Sequence, residues 1–180
     1  MTQPEAPIST PPQAYMDIIG PLIDKARFYL EAGEKLQPFA FVGNLTTKQI
    51  IPVMIQPGSG EDKDQSAREI QRSATVLEAD FVFTIMEAWS LRPDKVPQVD
   101  AIMDKYGSIG ASPYAIDVCT LSLETRRGLW VAQPPIKPKG ISKKKRTIQA
   151  VEFRYYTEAE GRFMQMLNKK DDDDQPSILH

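Results

Sequence analysis

Two long runs of β-branched and aromatic residues constrain the fold of this chain more than any other feature. One run covers residues 81–91 (FVFTIMEAWSL) and the other covers residues 115–124 (AIDVCTLSLE). Such residues fit a pleated, half-buried surface, so both runs predict β-strands and make a sheet the organising element. Both faces of the first run begin with apolar residues, which predicts a central strand.

Helical periodicity surrounds these strands. Residues 14–36 and residues 61–77 carry apolar side chains at spacings of three and four, which predicts two amphipathic helices. A short helix is expected within residues 92–112, and a closing helix is expected at residues 158–167.

Shorter apolar runs predict the remaining strands. They cover residues 38–42 and 48–55 as one hairpin, residues 129–133, and residues 147–157. Pro52 cannot donate a ladder hydrogen bond, so the second arm of the first hairpin is expected at a sheet edge or at a bulge. The element order predicts an α+β fold, with a mainly antiparallel sheet of about five to six strands and helices packed on one face.

The length of 180 residues is typical of one domain. Residues 1–12 contain four prolines and are predicted to be a mobile leader, and residues 13–167 are predicted to form a single α+β domain. Residues 168–180 include four consecutive aspartates, which predicts an acidic disordered tail.

Overall composition points to no particular partner. With 41% hydrophobic residues, 26% charged residues and a net charge of −2, the chain is typical neither of a nucleic-acid coat nor of a membrane-surface protein. No apolar run approaches the roughly 20 residues of a membrane span. The sequence therefore predicts a cytoplasmic protein that makes no membrane contact.

The residues that most often carry chemistry are scarce. The single histidine is His180, in the predicted tail, and the single cysteine is Cys119, which is expected to be a buried small hydrophobe within a strand. A histidine-assisted nucleophile and a zinc site are both disfavoured. No cofactor and no metal is expected, and a binding protein is favoured over an enzyme.

Glu87 and Glu124 are weak catalytic candidates because each stands near the end of a long predicted strand. If the strands bring them together, their carboxylates share a cleft that can hold a divalent metal or divide acid and base roles, as in a carboxylate-dependent metal hydrolase. The simpler interpretation is that each acid marks where a strand reaches water and meets an arginine. We favour it because neither acid belongs to a motif of defined spacing.

The sharpest charge feature is a predicted loop at 137–146 with six cations in ten residues. The six are Lys137, Lys139, Lys143, Lys144, Lys145 and Arg146. A flexible basic loop can bind phosphates through counterion release, which makes nucleic acid or another polyanion a possible partner. The alternative is a solvated loop whose charges oppose aggregation or meet the acidic tail.

The leading hypothesis is a non-catalytic binding or interaction protein with a protein partner. It rests on the missing catalytic residues, the extensive predicted sheet and the charged termini. Trp89 and Trp130 are predicted to mark its binding face, because an exposed tryptophan often lies in an interface. The chain has the general character of a small bacterial or phage protein, and it contains no motif specific enough to assign a family.

Overall fold

The computed structural model of the protein describes residues 6–157 together with residues 166 and 167. Within them lie three α-helices, one 3-10 helix and eight strands. They are α1 (Gln13–Glu31), β1 (Phe39–Asn44), β2 (Gln49–Met54), α2 (Gly60–Leu77), β3 (Phe81–Leu91), the 3-10 helix (Pro93–Gln98), α3 (Val99–Tyr106), β4 (Ala115–Thr125), β5 (Gly128–Ala132), β6 (Ile136–Pro138), β7 (Arg146–Ile148) and β8 (Arg154–Tyr156). The α+β class predicted from the sequence is confirmed.

Six of the strands form one antiparallel sheet in the order β2-β1-β3-β4-β5-β8, and β6 pairs with β7 in a separate small sheet. The two long runs of the sequence, β3 and β4, pair along eleven residues at the centre. β2 lies at one edge, as Pro52 predicted.

Helices cover both faces of the sheet, and not the one face predicted from the sequence. Alternate side chains of β3 explain the difference. Phe81, Phe83 and Ile85 pack in the core under α1, while Val82 on the opposite face packs with Ile70 of α2. Because β3 is apolar on both faces, each face needs a cover.

The predicted strand at 147–157 is divided into two strands, which corrects the sequence interpretation. Its first part is β7, which pairs with β6 inside the segment assigned to a loop, and its last part is β8, which pairs with β5. Ile136 and Ile148 face each other across the small sheet and are both buried in the core, as is Phe153 between the two parts. Burial of these three side chains in the core keeps β7 and the segment up to Phe153 out of the large sheet, which the chain joins only at β8.

Residues 6–9, within the second part of the predicted leader, lie beside β8. The backbone N–H of Ser9 donates to the carbonyl of Phe153 (3.0 Å), and the N–H of Tyr155 donates to the carbonyl of Pro7 (3.1 Å). These bonds continue the antiparallel pairing beyond β8. The first part of the predicted leader, residues 1–5, lies outside the described residues.

The predicted closing helix and acidic tail also lie outside the described residues, apart from Met166 and Leu167, which are buried against the α2 face of the sheet. None of the helices that the structure describes is long and apolar enough to cross a membrane.

Candidate binding site

The basic stretch at 137–146 is an ordered hairpin. Its arms are β6 and β7, and their buried isoleucines, Ile136 and Ile148, fix it to the core under α1. The backbone N–H of Lys139 donates to the carbonyl of Lys145 (2.8 Å), which extends the ladder toward the turn. The cations are therefore carried by a defined backbone, and not by the open loop that the sequence suggested.

The turn of this hairpin also has local order. The hydroxyl oxygen of Ser142 accepts the backbone N–H groups of Lys144 and Lys145, each at 3.3 Å. Lys144 lies against Gly33 at the C-terminal end of α1, where a Cβ on the glycine would contact the Lys144 Cβ at 3.5 Å. The C-terminal end of a helix carries a partial negative charge, which favours the run of three lysines beside it.

Two of the six cations hold the hairpin in place. Arg146 makes a two-pronged ion pair with Glu87, with Nη1–Oε2 at 3.0 Å and Nη2–Oε1 at 2.9 Å. Lys139 Nζ lies 2.7 Å from Glu31 Oε2, and the Thr147 hydroxyl donates to the other oxygen of Glu31 at 2.8 Å. Because both side chains are paired within the protein, Arg146 and Lys139 stabilise the fold and are less available to a ligand than the other four cations.

The other four cations are exposed, and none makes an ion pair with another described residue. They are Lys137, Lys143, Lys144 and Lys145.

The Arg146–Glu87 pair remains charged because the two groups stabilise each other. Burial raises the pKa of Glu87, but the hydrogen bonds from Arg146 and from the backbone N–H of Leu36 outweigh it and lower that pKa overall. The hydrogen bond to Glu87 raises the pKa of Arg146, burial opposes it, and the charges of Glu87 and Asp117 add to the rise.

Trp89 lies beside this ion pair. It follows Glu87 by two residues on the same face of β3, a step of about 6–7 Å, and its cross-strand partner is Asp117, whose charge reaches Arg146. The residue is 63% exposed. Its indole lies against Gly110, where an added Cβ would come within 2.4 Å of the ring, so the glycine makes room for it. An exposed aromatic side chain thus lies one same-face position along β3 from Glu87, the residue that anchors the basic hairpin.

Trp130 does not share that surface. It is 6% exposed, and its ring is tilted 52° to that of Tyr155, with the ring centroids 4.8 Å apart. On β4, Trp130 pairs with Leu123 and Trp89 pairs with Asp117, six residues away and so about 20 Å along the strand. The two tryptophans therefore form no common binding face, and Trp130 belongs to the core.

Glu87 and Glu124 lie on opposite faces of the sheet, so the shared cleft expected from the sequence does not form. Glu87 stands opposite Cys119 on the α1 face. Glu124 instead accepts the backbone N–H groups of Met166 (2.8 Å) and Leu167 (3.2 Å). Burial raises the pKa of Glu124 although these two hydrogen bonds oppose it. Among the described residues, no three or more potential metal ligands are grouped together.

Cys119 is fully buried, as predicted. Burial, with a smaller contribution from the nearby Glu87 charge, raises the pKa of its thiol to about 12. The reactive thiolate is therefore nearly absent at neutral pH.

A second surface, which was not predicted from the sequence, surrounds the edge strand β2. Large apolar side chains are exposed along β2 and on the neighbouring helices; they are Phe28, Tyr29, Ile50, Ile51, Met54 and Val76. Grooves of about 530 Å³ and 490 Å³ lie on the α1 side and the α2 side of this strand. Pro52 was the one signal of this surface in the sequence. It predicts that β2 is an edge strand, but it does not predict that the apolar side chains around β2 stay exposed.

Comparison of the chain with protein-family models, with curated proteins and with solved structures gives no significant match. A functional interpretation therefore rests on the geometry of these two surfaces.

Proposed function

We propose that this protein is a non-catalytic binding protein that holds a single-stranded nucleic acid on the hairpin site, which we define as Lys137, Lys143, Lys144, Lys145 and Trp89. One arrangement carries the proposal: an exposed indole stands two residues along β3 from Glu87, which anchors an ordered hairpin that presents four lysines without an ion pair to a described residue.

The hairpin site combines the two interactions that single strands use most. Lysines follow the phosphates and release condensed counterions, and an exposed indole stacks on an unpaired base. Stacking of one base on an aromatic side chain contributes about 1–3 kcal/mol. Because Arg146 and Lys139 already bind Glu87 and Glu31, the lysines that remain are held in position without being neutralised.

A single strand suits this surface better than a duplex. A two-stranded ribbon such as this hairpin can also enter the major groove of double-stranded DNA, but the exposed indole of Trp89 would find no unpaired base there. An unpaired base, by contrast, can lie on the exposed ring. Recognition of this kind is tolerant of sequence.

The test is fluorescence anisotropy with a labelled 15-nucleotide oligothymidylate across a series of salt concentrations. Replacing Lys143, Lys144 and Lys145 by alanine is expected to weaken binding at least about tenfold and to reduce the slope of log K against log salt by about 2, because three phosphate contacts are lost. The matched control replaces three cations of α2, Lys63, Arg68 and Arg72, by alanine. Equal losses in both variants, or binding that ignores salt, would reject the proposal.

A second polyanion separates nucleic acid from general charge attraction. Trp89→Ala is expected to weaken oligothymidylate binding while leaving heparin binding unchanged, because heparin has no base to stack on the indole. If Trp89→Ala has no effect on either ligand, the site is a general polyanion site and the assignment to nucleic acid fails.

A protein partner is a second candidate, and the exposed apolar residues around β2 favour it. Such a partner would contact side chains, because Pro52 denies the edge a backbone donor. Ile51→Lys with Val76→Lys is expected to abolish capture of that partner from lysate, while the triple lysine variant of the hairpin retains it. Capture that survives the two lysines would place the partner elsewhere.

A further inference from the structure

The groove on the α1 side of β2 has an apolar floor and a charged rim. Leu22 of α1, Phe39 and Phe41 of β1 and Ile85 of β3 line the floor, and Pro52 of β2 lines the outer wall. The groove exists because α1 packs its buried face over β3 and β4 and leaves the end of the sheet at β1 and β2 uncovered. Its volume of about 530 Å³ lies in the range of small-molecule sites.

The rim has more positive than negative charge. Lys25 of α1 and Lys35, which follows the helix, both line the groove, together with Glu34 and the neutral Gln37. Neither lysine makes an ion pair with another described residue. The positive charge of Lys35 also acts beyond the groove, because it helps to lower the pKa of Glu87. An anionic group at the rim would therefore meet a net positive charge.

The outer wall argues against an extended peptide as the occupant. The backbone N–H of Ile55 donates to the carbonyl of Pro38, in the segment that leads into β1. The backbone N–H and C=O groups of the odd-numbered residues of β2 therefore point toward β1, and those of the even-numbered residues point away from the sheet. Pro52 is one of the outward residues and has no N–H. An added strand would lose the central donor of this edge.

We infer that the groove binds a small molecule with an apolar body and one carboxylate, its body on the aromatic floor and its carboxylate between Lys25 and Lys35. This inference is independent of the proposed nucleic-acid site. The floor excludes water from the apolar body, and the rim selects the sign of the head group.

The test is calorimetric titration of the full-length protein with decanoate, decanol and decyltrimethylammonium, which share one chain length and differ in the head group. Decanoate is expected to bind at least about tenfold more tightly than either of the others. Lys25→Glu with Lys35→Glu should remove this preference, while the control Lys63→Glu on α2 should retain it. Gln37→Trp, which places an indole in the mouth of the groove, should abolish decanoate binding in a protein with unchanged circular dichroism.

Three results would overturn the inference. Decanol binding as tightly as decanoate would mean that the lysines do not select the ligand. Decanoate binding that persists in Gln37→Trp would place the ligand elsewhere. A dimer in sedimentation equilibrium that decanoate does not dissociate would make a second copy of the chain the occupant.

Discussion

At the scale of single residues, Glu87 and Glu124 show how the environment decides what a carboxylate does. Both are strand residues that are partly buried, yet the pKa of Glu87 is lowered and that of Glu124 is raised. The difference lies in the partners, because Glu87 faces a guanidinium and Glu124 faces two backbone N–H groups. An arginine partner is the prediction from sequence for each acid, but Arg146 lies 59 residues from Glu87, a pairing that local patterns do not reveal.

Glu87→Gln should destabilise the fold by about 1–3 kcal/mol, because it leaves the partly buried Arg146 without its ionic partner. Urea unfolding followed by circular dichroism measures the change. The control is Asp24→Asn, which breaks the more exposed pair with Arg27 and should cost less than about 0.5 kcal/mol. Equal costs would show that the Arg146–Glu87 pair does not hold the hairpin.

The two glutamates should also give opposite pH dependences. The stabilisation from Glu87 is present above its unfolded pKa and is lost as the pH falls through its lowered folded pKa, so wild type should lose its advantage over Glu87→Gln in acid. For Glu124 the folded pKa is the higher one, so wild type should lose stability relative to Glu124→Gln as the pH rises from the unfolded pKa through the folded one. Urea unfolding between pH 3 and pH 7, roughly the range in which perturbed carboxyl groups titrate, tests both signs. Parallel trends would refute the assignment.

At the scale of elements, the sequence predicts the strands with strong local patterns and fails where distant packing decides. The run at 115–124 is observed as β4, nearly residue for residue, because its composition and its alternation agree. The run at 147–157 alternates too, but Ile148 pairs with Ile136 in the small sheet, which draws β7 away from β8. No pattern within residues 147–157 predicts this division, because β6 and β5, the strands that pair with β7 and β8, both lie outside that run.

Pro52 is predicted to protect the edge strand β2 against pairing with a strand of another molecule. Pro52→Val should promote self-association, because it restores an outward N–H on a strand with exposed Ile50 and Met54. Sedimentation velocity over a range of protein concentrations measures this. Adding Ile50→Lys to the same variant should return its sedimentation to that of wild type, since a charge on an edge strand opposes pairing. A Pro52→Val protein that sediments as wild type would show that Pro52 does not guard the edge.

At the scale of the whole molecule, α1 separates the two candidate sites. Glu31 on one side of the helix binds the basic hairpin, while Lys25 and Tyr29 on another side line the groove over β1. The sequence found the six cations and the exposed tryptophan separately. Their juxtaposition depends on the ion pair between Arg146 of β7 and Glu87 of β3, a contact between distant segments, so the site could not be assembled from sequence patterns.

This separation predicts independent sites. Gln37→Trp, which should block the groove, is expected to leave the affinity for oligothymidylate within about twofold of wild type. The groove residue Leu36 does donate to Glu87, but Glu87 anchors the hairpin and is not one of the side chains proposed to bind the strand. Anisotropy titrations of the two proteins at the same salt concentration measure the difference. A larger loss would mean that the groove and the hairpin form one binding surface.

The most direct test of the central claim is the tryptophan fluorescence of wild type and Trp89→Phe during titration with an unlabelled oligothymidylate. The protein has two tryptophans, and only Trp89 is exposed, so stacking of a base should quench the emission of wild type and leave the buried Trp130 of the variant unaffected. Added salt should reverse the quenching as the lysines release the phosphates. Equal quenching in both proteins, or none in wild type when anisotropy reports a complex, would contradict a nucleic-acid site built on Trp89 and the basic hairpin.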